Sequence, residues 1–173
     1  TDAVIFFFFL AHLELGEHML SKEYFPHDNL QINGELKRSL FEFYDFLVGY
    51  QNLLRDGGTF NSPIVSSGDG KVNLKSWPPA YSNVAVVGKK VANKQLIHLI
   101  NFSNATSLNW RDTNGEQATP TKKTNFILNL VNNQSVTKVW YASPDLDGGA
   151  SKELSFTQVG GNLVFKIPSL QYW

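Results

Sequence analysis

From residue 35 to residue 55 the apolar side chains return at the spacing of one helix face. Leu36, Leu40, Phe43, Tyr44, Leu47 and Leu54 form a stripe that Phe41 and Val48 widen, while Lys37, Arg38, Glu42, Asp45, Gln51 and Asn52 take the other positions. The spacing predicts a helix over 35–55, with Asn33 as its N-cap and Gly57-Gly58 as its left-handed stop. So wide a stripe needs a layer to lie on. Ahead of it, Ala3 to Leu10 run without a polar break, a buried segment whose period does not separate helix from strand, with Asp2 available to cap a helix start. Four successive phenylalanines, Phe6 to Phe9, need cover by further chain. Residues 11–16 alternate instead: Leu13 and Leu15 point one way, His12 and Glu14 the other, which is the period of a strand with one greasy face and one polar face. Residues 21–34, with Pro26, His27, Asp28, Asn29 and Gly34, read as a loop anchored by Tyr24 and Phe25.

Beyond Gly57 the pattern becomes short β-like runs separated by Gly, Asn, Ser and Pro. Strands are expected over 64–66, 72–74, 84–90, 95–102, 108–111, 125–130, 136–142, 154–159 and 162–167. Asp69-Gly70, Asn114-Gly115, Asp147-Gly148-Gly149 and Gly160-Gly161 mark turns, and Val159-Gly160-Gly161-Asn162 is the plainest hairpin. Many short strands without intervening helices predict an antiparallel β-sandwich. A boundary falls near residues 57–61, giving units 1–57 and 58–173, with the rigid Trp77-Pro78-Pro79 segment as a fastener between them.

Composition narrows the partners. With 173 residues, 42% hydrophobic and 17% charged, the chain is globular in character and has enough material for a core. Its formal net charge of zero gives no electrostatic grip on nucleic acid or on an anionic membrane surface. No cysteine is present, which excludes disulfides and thiolate chemistry. The apolar run over 3–10 is far shorter than the roughly 20 residues that span a bilayer. It opens abruptly after Thr1, and Met19 is the single methionine, as expected for a piece of something longer.

The chemistry concentrates in His12-Leu13-Glu14-Leu15-Gly16-Glu17-His18. A (β/α)8 barrel strand divides its faces in this way near its carboxyl end, so Glu14 is read at the top of a barrel strand with Glu17 and His18 on the following loop. Two carboxyl groups can hydrolyse a glycosidic bond when they face each other about 5–5.5 Å apart, or 6.5–9.5 Å with inversion. On a strand and its loop Glu14 and Glu17 diverge, so they fit hydrogen bonding to substrate hydroxyls, or to loop backbone amides, better than a catalytic pair. His12 and His18 do not follow an established metal spacing, and no cofactor is implied. His27-Asp28 lacks a serine in a nucleophile elbow, and His98, inside an apolar strand, reads as structural. Trp77, Tyr81, Trp110, Trp140, Tyr141, Tyr172 and Trp173 supply aromatic faces that serve either as core or as a platform for a sugar ring. Asn101-Phe102-Ser103, Asn104-Ala105-Thr106 and Asn133-Gln134-Ser135 match glycosylation acceptors.

The run from His12 to Ser21, continuing Lys22-Glu23-Tyr24-Phe25-Pro26, resembles the last barrel strand and loop of the dextranases of glycoside hydrolase family 66, streptococcal members especially. The helix over 36–56, the Leu99-Ile100-Asn101-Phe102 strand and Trp110-Arg111-Asp112 resemble that family too. The resemblance implies retaining endo-hydrolysis of α-(1→6)-linked glucan by an aspartate nucleophile and a glutamate acid/base; related members make cyclic isomaltooligosaccharides. Both catalytic carboxylates belong to earlier barrel strands, so no catalytic residue is assigned here and the chain alone is expected to be inactive. The implied partners are dextran or isomaltooligosaccharide and the missing N-terminal barrel strands of the same enzyme. Glu14, Gly16, Glu17 and His18 are implied as substrate-binding rim residues, and the location as secreted or bacterial cell-surface. The expected fold is therefore the C-terminal end of a (β/α)8 barrel, one strand, loop and helix, followed by an antiparallel β-sandwich. The rival reading is a non-catalytic carbohydrate-binding or interaction module.

Overall fold

Four consecutive apolar residues, Val84, Ala85, Val86 and Val87, need cover on both faces of their strand, because alternate side chains point opposite ways. A computed structural model of the chain supplies that cover. It describes residues 2–8, 18–20, 26–31, 33–109 and 117–173, with residues 18–20 and 26–31 as backbone. In chain order the elements are α1 (Asp2–Phe7), β1 (His18–Leu20), β2 (Pro26–Gln31), α2 (Gly34–Gly49), α3 (Gln51–Leu54), β3 (Thr59–Asn61), β4 (Val65–Ser67), β5 (Leu74–Ser76), β6 (Val84–Val91), β7 (Lys94–Asn101), β8 (Lys123–Val131), β9 (Val139–Tyr141), a 3-10 turn (Asp147–Gly149), β10 (Lys152–Leu154), β11 (Phe156–Val159) and β12 (Asn162–Leu170).

β6 pairs antiparallel with β7 along its whole length, from Val84 opposite Asn101 to Val91 opposite Lys94. Its other edge is shared by two short strands, β3 opposite residues 88–90 and β5 opposite residues 84–86. The second sheet runs β11-β12-β8-β4, all antiparallel. Val84, Val86 and Leu99 of the first sheet close on Phe126, Leu128, Leu130, Leu163, Phe165 and Ile167 of the second, forming the core between them. On the far side of the first sheet, Ala85, Val87 and Ile100 lie under Ile5, Phe6, Phe7, Phe43, Phe46 and Trp173. The molecule thus has three layers, helices on a sheet on a sheet, and β6 is the strand buried from both sides.

The long helix starts where its cap signal lies: Asn33 Oδ1 accepts the Leu36 N–H at 2.8 Å. The expected single helix over 35–55 is broken at Tyr50 into α2 and α3. Gly57 and Gly58 follow α3 with φ of 81° and 85°, and a Cβ on Gly58 would sit 2.5 Å from the Lys90 carbonyl, so glycine is what lets the chain pass from helix to sheet edge. The buried side of α2 is narrower than its apolar stripe: Phe43 and Phe46 are buried, whereas Phe41 (61% exposed) and Val48 (74%) face outward.

Other expectations are corrected. The region 21–34 is not all loop, since β2 pairs with β1 as an antiparallel ribbon, His18 opposite Gln31 and Leu20 opposite Pro26. Pro26 opens its strand, a position where the missing N–H costs nothing. His18 accordingly starts a strand instead of riding on a loop. β5 runs parallel to β6, so the sandwich is not purely antiparallel. Ser155 splits the run over 154–159 into β10, which pairs with β9, and β11, which pairs with β12. Leu108 and Asn109 form no strand: the Ser107 hydroxyl accepts the Asn109 N–H at 3.0 Å, and such side-chain bonds replace a ladder. Thr59–Asn61, unmarked by any apolar run, is a strand through its pairing with β6. No closed barrel is present among the described residues, and the alternating stretch 11–16 lies outside them. No helix among the described residues is long and apolar enough to cross a membrane.

The helical layer is tied to the strand layer at one close approach. Gly149 has φ of +80°, a Cβ there would fall 2.7 Å from Phe46 Cδ2, and its carbonyl accepts the Tyr50 hydroxyl at 2.7 Å. Gly148 also has positive φ, +61°, but open space around its missing Cβ. Gly148→Ala therefore isolates the backbone cost, about 1 kcal/mol, while Gly149→Ala adds an overpacking cost of roughly 1–3 kcal/mol. Urea unfolding of both variants checks this; equal destabilisation would contradict the close approach.

Candidate functional site

The expected rim residues fall largely outside what the structure describes. Glu14, Gly16 and Glu17 lie outside the described residues, as does His12; of His18 the backbone is described, at the first position of β1. Trp110, Arg111 and Asp112 also lie outside them.

The sandwich aromatics divide by the layer each strand faces. Trp173 is buried (7% exposed) among Phe7, Phe43, Phe46 and His98. Trp77, joined to Pro78 by a cis peptide bond, packs edge-on to Phe8, with ring centroids 4.9 Å apart, and beside Phe7. Tyr141 is half-buried and donates its hydroxyl to the Ser169 carbonyl at 2.7 Å. Tyr81 and Trp140 (each 55% exposed) and Tyr172 (41%) keep faces in water. Among the described tryptophans and tyrosines of the sandwich, these three have the exposure to meet a sugar ring directly.

Three buried polar groups, Ser143, Lys89 and Asn101, and the half-buried Asp145 do structural work. Asp145 accepts the N–H groups of Tyr172 and Trp173 at 2.8 and 2.9 Å, and the Ser143 hydroxyl donates to the Trp173 carbonyl at 2.5 Å, so the last residues are clamped on both sides. Burial pushes the Asp145 carboxyl above its ordinary range even though those two N–H groups pull it down. Lys89 donates to the Leu54 carbonyl at 2.6 Å at the end of α3, an otherwise orphaned helix acceptor, and burial lowers its pKa against the opposing pull of Asp56. Asn101, a polar residue closing the apolar run of β7, donates to the carbonyls of Thr121 and Gln171 at 2.9 and 3.0 Å. It is buried and so is not a glycosylation acceptor.

His98 fits the structural reading. Its Nδ1 accepts the Trp173 indole N–H at 3.4 Å, its ring meets Phe7 at 4.7 Å between centroids, and its Nε2 has no hydrogen-bond partner among the described residues. Burial, assisted by the Lys89 charge, lowers its pKa to about 3. Held neutral in an aromatic box, His98 does not shuttle protons near neutrality. Asp145 and Asn101 carry no spacing signal of chemistry; the break that Asn101 makes in an apolar strand is the one hint of a buried polar knot.

The described residues thus form a β-sandwich with a helical cover, its buried polar side chains bonded mainly to backbone groups. The model for glycosyl hydrolase family 66 matches residues 1–173, and the chain belongs to that family. Two cycloisomaltooligosaccharide glucanotransferases of Niallia circulans are 31% and 32% identical to it over 177 aligned positions that cover 94% of this chain and 17% of theirs. A solved cycloisomaltooligosaccharide glucanotransferase of Paenibacillus sp., complexed with cycloisomaltoheptaose, matches 95% of this chain at 28% identity and a TM-score of 0.80. The chain spans 24% of that structure and 17% of the curated relatives.

The depressed His98 pKa makes a signed pH prediction. The unfolded imidazole titrates near 6.5 and the folded one near 3, so the stability from burying it neutral is present above pH 6.5 and is lost as pH falls toward 3. Asp145, with its folded pKa raised, acts in the opposite sense, its contribution growing as pH falls through the carboxylate range. Between pH 7.5 and 5.0 the wild type should lose about 2 kcal/mol more than His98→Phe, since each pH unit below 6.5 costs about 1.4 kcal/mol. Urea titrations at the two pH values measure the difference; equal losses would show that His98 is not held neutral.

Proposed function

We propose that this chain is the C-terminal portion of a dextranase-like family 66 enzyme that cleaves α-(1→6)-linked glucan internally with retention. Residues 1–57 are then the last βα unit of a catalytic barrel and residues 58–173 its accessory β-sandwich. Glu14, Gly16, Glu17 and His18 stand on the rim of the substrate cleft, where they bind sugar hydroxyls. The nucleophile and the acid/base reside on barrel strands supplied by the rest of the enzyme. The observation that carries the reading is the match of nearly the whole chain to one quarter of a glucanotransferase complexed with a cyclic isomaltooligosaccharide. A polymeric substrate of this kind suits a secreted or cell-surface bacterial enzyme.

Retaining chemistry passes through a covalent glycosyl-enzyme whose acceptor decides the product. Water gives hydrolysis, and the far end of the same glucan chain gives a ring. The names of the relatives favour the second outcome as the alternative reading, cyclising transfer. Both readings give this segment the same work, holding and bordering a long α-glucan.

Incubating the 173-residue chain with dextran should yield neither new reducing ends nor cyclic products on chromatography. Turnover that disappears in Glu14→Gln or Glu17→Gln would overturn the reading in favour of an autonomous enzyme. In an enzyme that carries the upstream strands, Glu17→Gln should raise KM roughly tenfold with little change in kcat, as expected for one lost charge-assisted hydrogen bond in binding.

A further inference from the structure

We propose that Trp140, flanked by Lys138 and Glu153, is a surface subsite for a glucose polymer; the choice of glucose polymer rests on the α-glucan reading above. The site is built by strand alternation. Val139 and Tyr141 pack against the core between the sheets, and the Tyr141 hydroxyl is fastened to the Ser169 carbonyl, so the backbone of β9 is pinned and Trp140 is turned outward. Directly opposite Trp140 in the β9–β10 ribbon stands Glu153. Lys138 Nζ lies 5.4 Å from the indole centroid and 3.2 Å from Glu153 Oε2. One face of the ribbon therefore carries an indole with the ammonium over its ring and the carboxylate next to that ammonium, so a stacked sugar displaces the flexible Lys138 head or takes the ring's other face.

That set is complementary to a pyranose. The ring's C–H face stacks on an indole, whose faces carry negative charge density, and the hydroxyls at its edge find an ammonium and a carboxylate. Lys138 and Glu153 are each about half exposed, so they reach a ligand from where they stand. The neighbours Thr137, Ser151 and Lys152 are polar and exposed, which distinguishes a lone aromatic among polar groups from the contiguous apolar patch of a protein contact. The site is flat, so one sugar binds weakly; a polymer with many equivalent rings gains from repetition.

Affinity electrophoresis of the 173-residue chain in native gels, with dextran, with mannan or with neither, tests the proposal. The expected result is retardation by dextran that weakens about tenfold in Trp140→Ala, less in Glu153→Gln, and is largely kept in Trp140→Phe, which retains a stacking ring. Retardation by dextran that is unchanged in Trp140→Ala would overturn the subsite while leaving the α-glucan reading in place. Retardation by mannan alone, abolished in Trp140→Ala, would overturn the glucan assignment and the reading it rests on. Absence of retardation in both gels would overturn the subsite. Unchanged far-ultraviolet circular dichroism shows that each variant is folded.

Discussion

A strand with water on neither side constrains everything around it. In β6 six successive residues, from Val84 to Lys89, are buried, and such a strand is stable only when one layer covers its odd positions and another its even ones. The second sheet meets Val84 and Val86; the helices and Trp173 meet Ala85 and Val87. Removing either cover would leave large apolar area in water at about 25 cal/mol per Å². For this reason the core on the helical side draws residues from both sides of position 57, the expected boundary, with Phe43, Phe46 and Leu54 on one side and Ala85, Val87, Ile100 and Trp173 on the other.

The polar groups inside follow from the same constraint. A buried or half-buried polar group is tolerated when it satisfies backbone partners, and here three of them join segments distant in sequence: Asp145 to the last residues, Lys89 to the end of α3, Asn101 to residues 121 and 171.

Much of the architecture was legible in the sequence because its signals were local. Asn33 and the 3.6-residue recurrence of Phe43 and Phe46 marked the long helix, and Gly160-Gly161 marked the hairpin between β11 and β12. What stayed hidden depends on partners distant in the chain. β3 is a strand because β6 offers it an edge, the strand expected over 72–74 lies at 74–76 where it pairs with β6, and β2 is a strand in spite of Pro26 and Asn29 because β1 pairs with it. Phe41 and Val48 share the helical period yet face outward, since periodicity reports spacing and not how wide a layer lies beneath. Of the candidate site, His98 was readable as structural from its apolar strand, whereas the exposure of Trp140 follows from the inward anchoring of Tyr141, which no spacing reveals. Glu14, Gly16 and Glu17 lie outside the described residues, and their role rests on the family resemblance.

The central claim is that the helical layer and β6 share one core and open together. Native-state amide hydrogen exchange measures this most directly, because it returns an opening free energy for each protected N–H. The account predicts that the buried turns of α2 around Phe43 and Phe46 exchange with the same free energy and denaturant dependence as Val86 and Val87 of β6. Exchange of the helix at a much lower free energy, with β6 still protected, would contradict it.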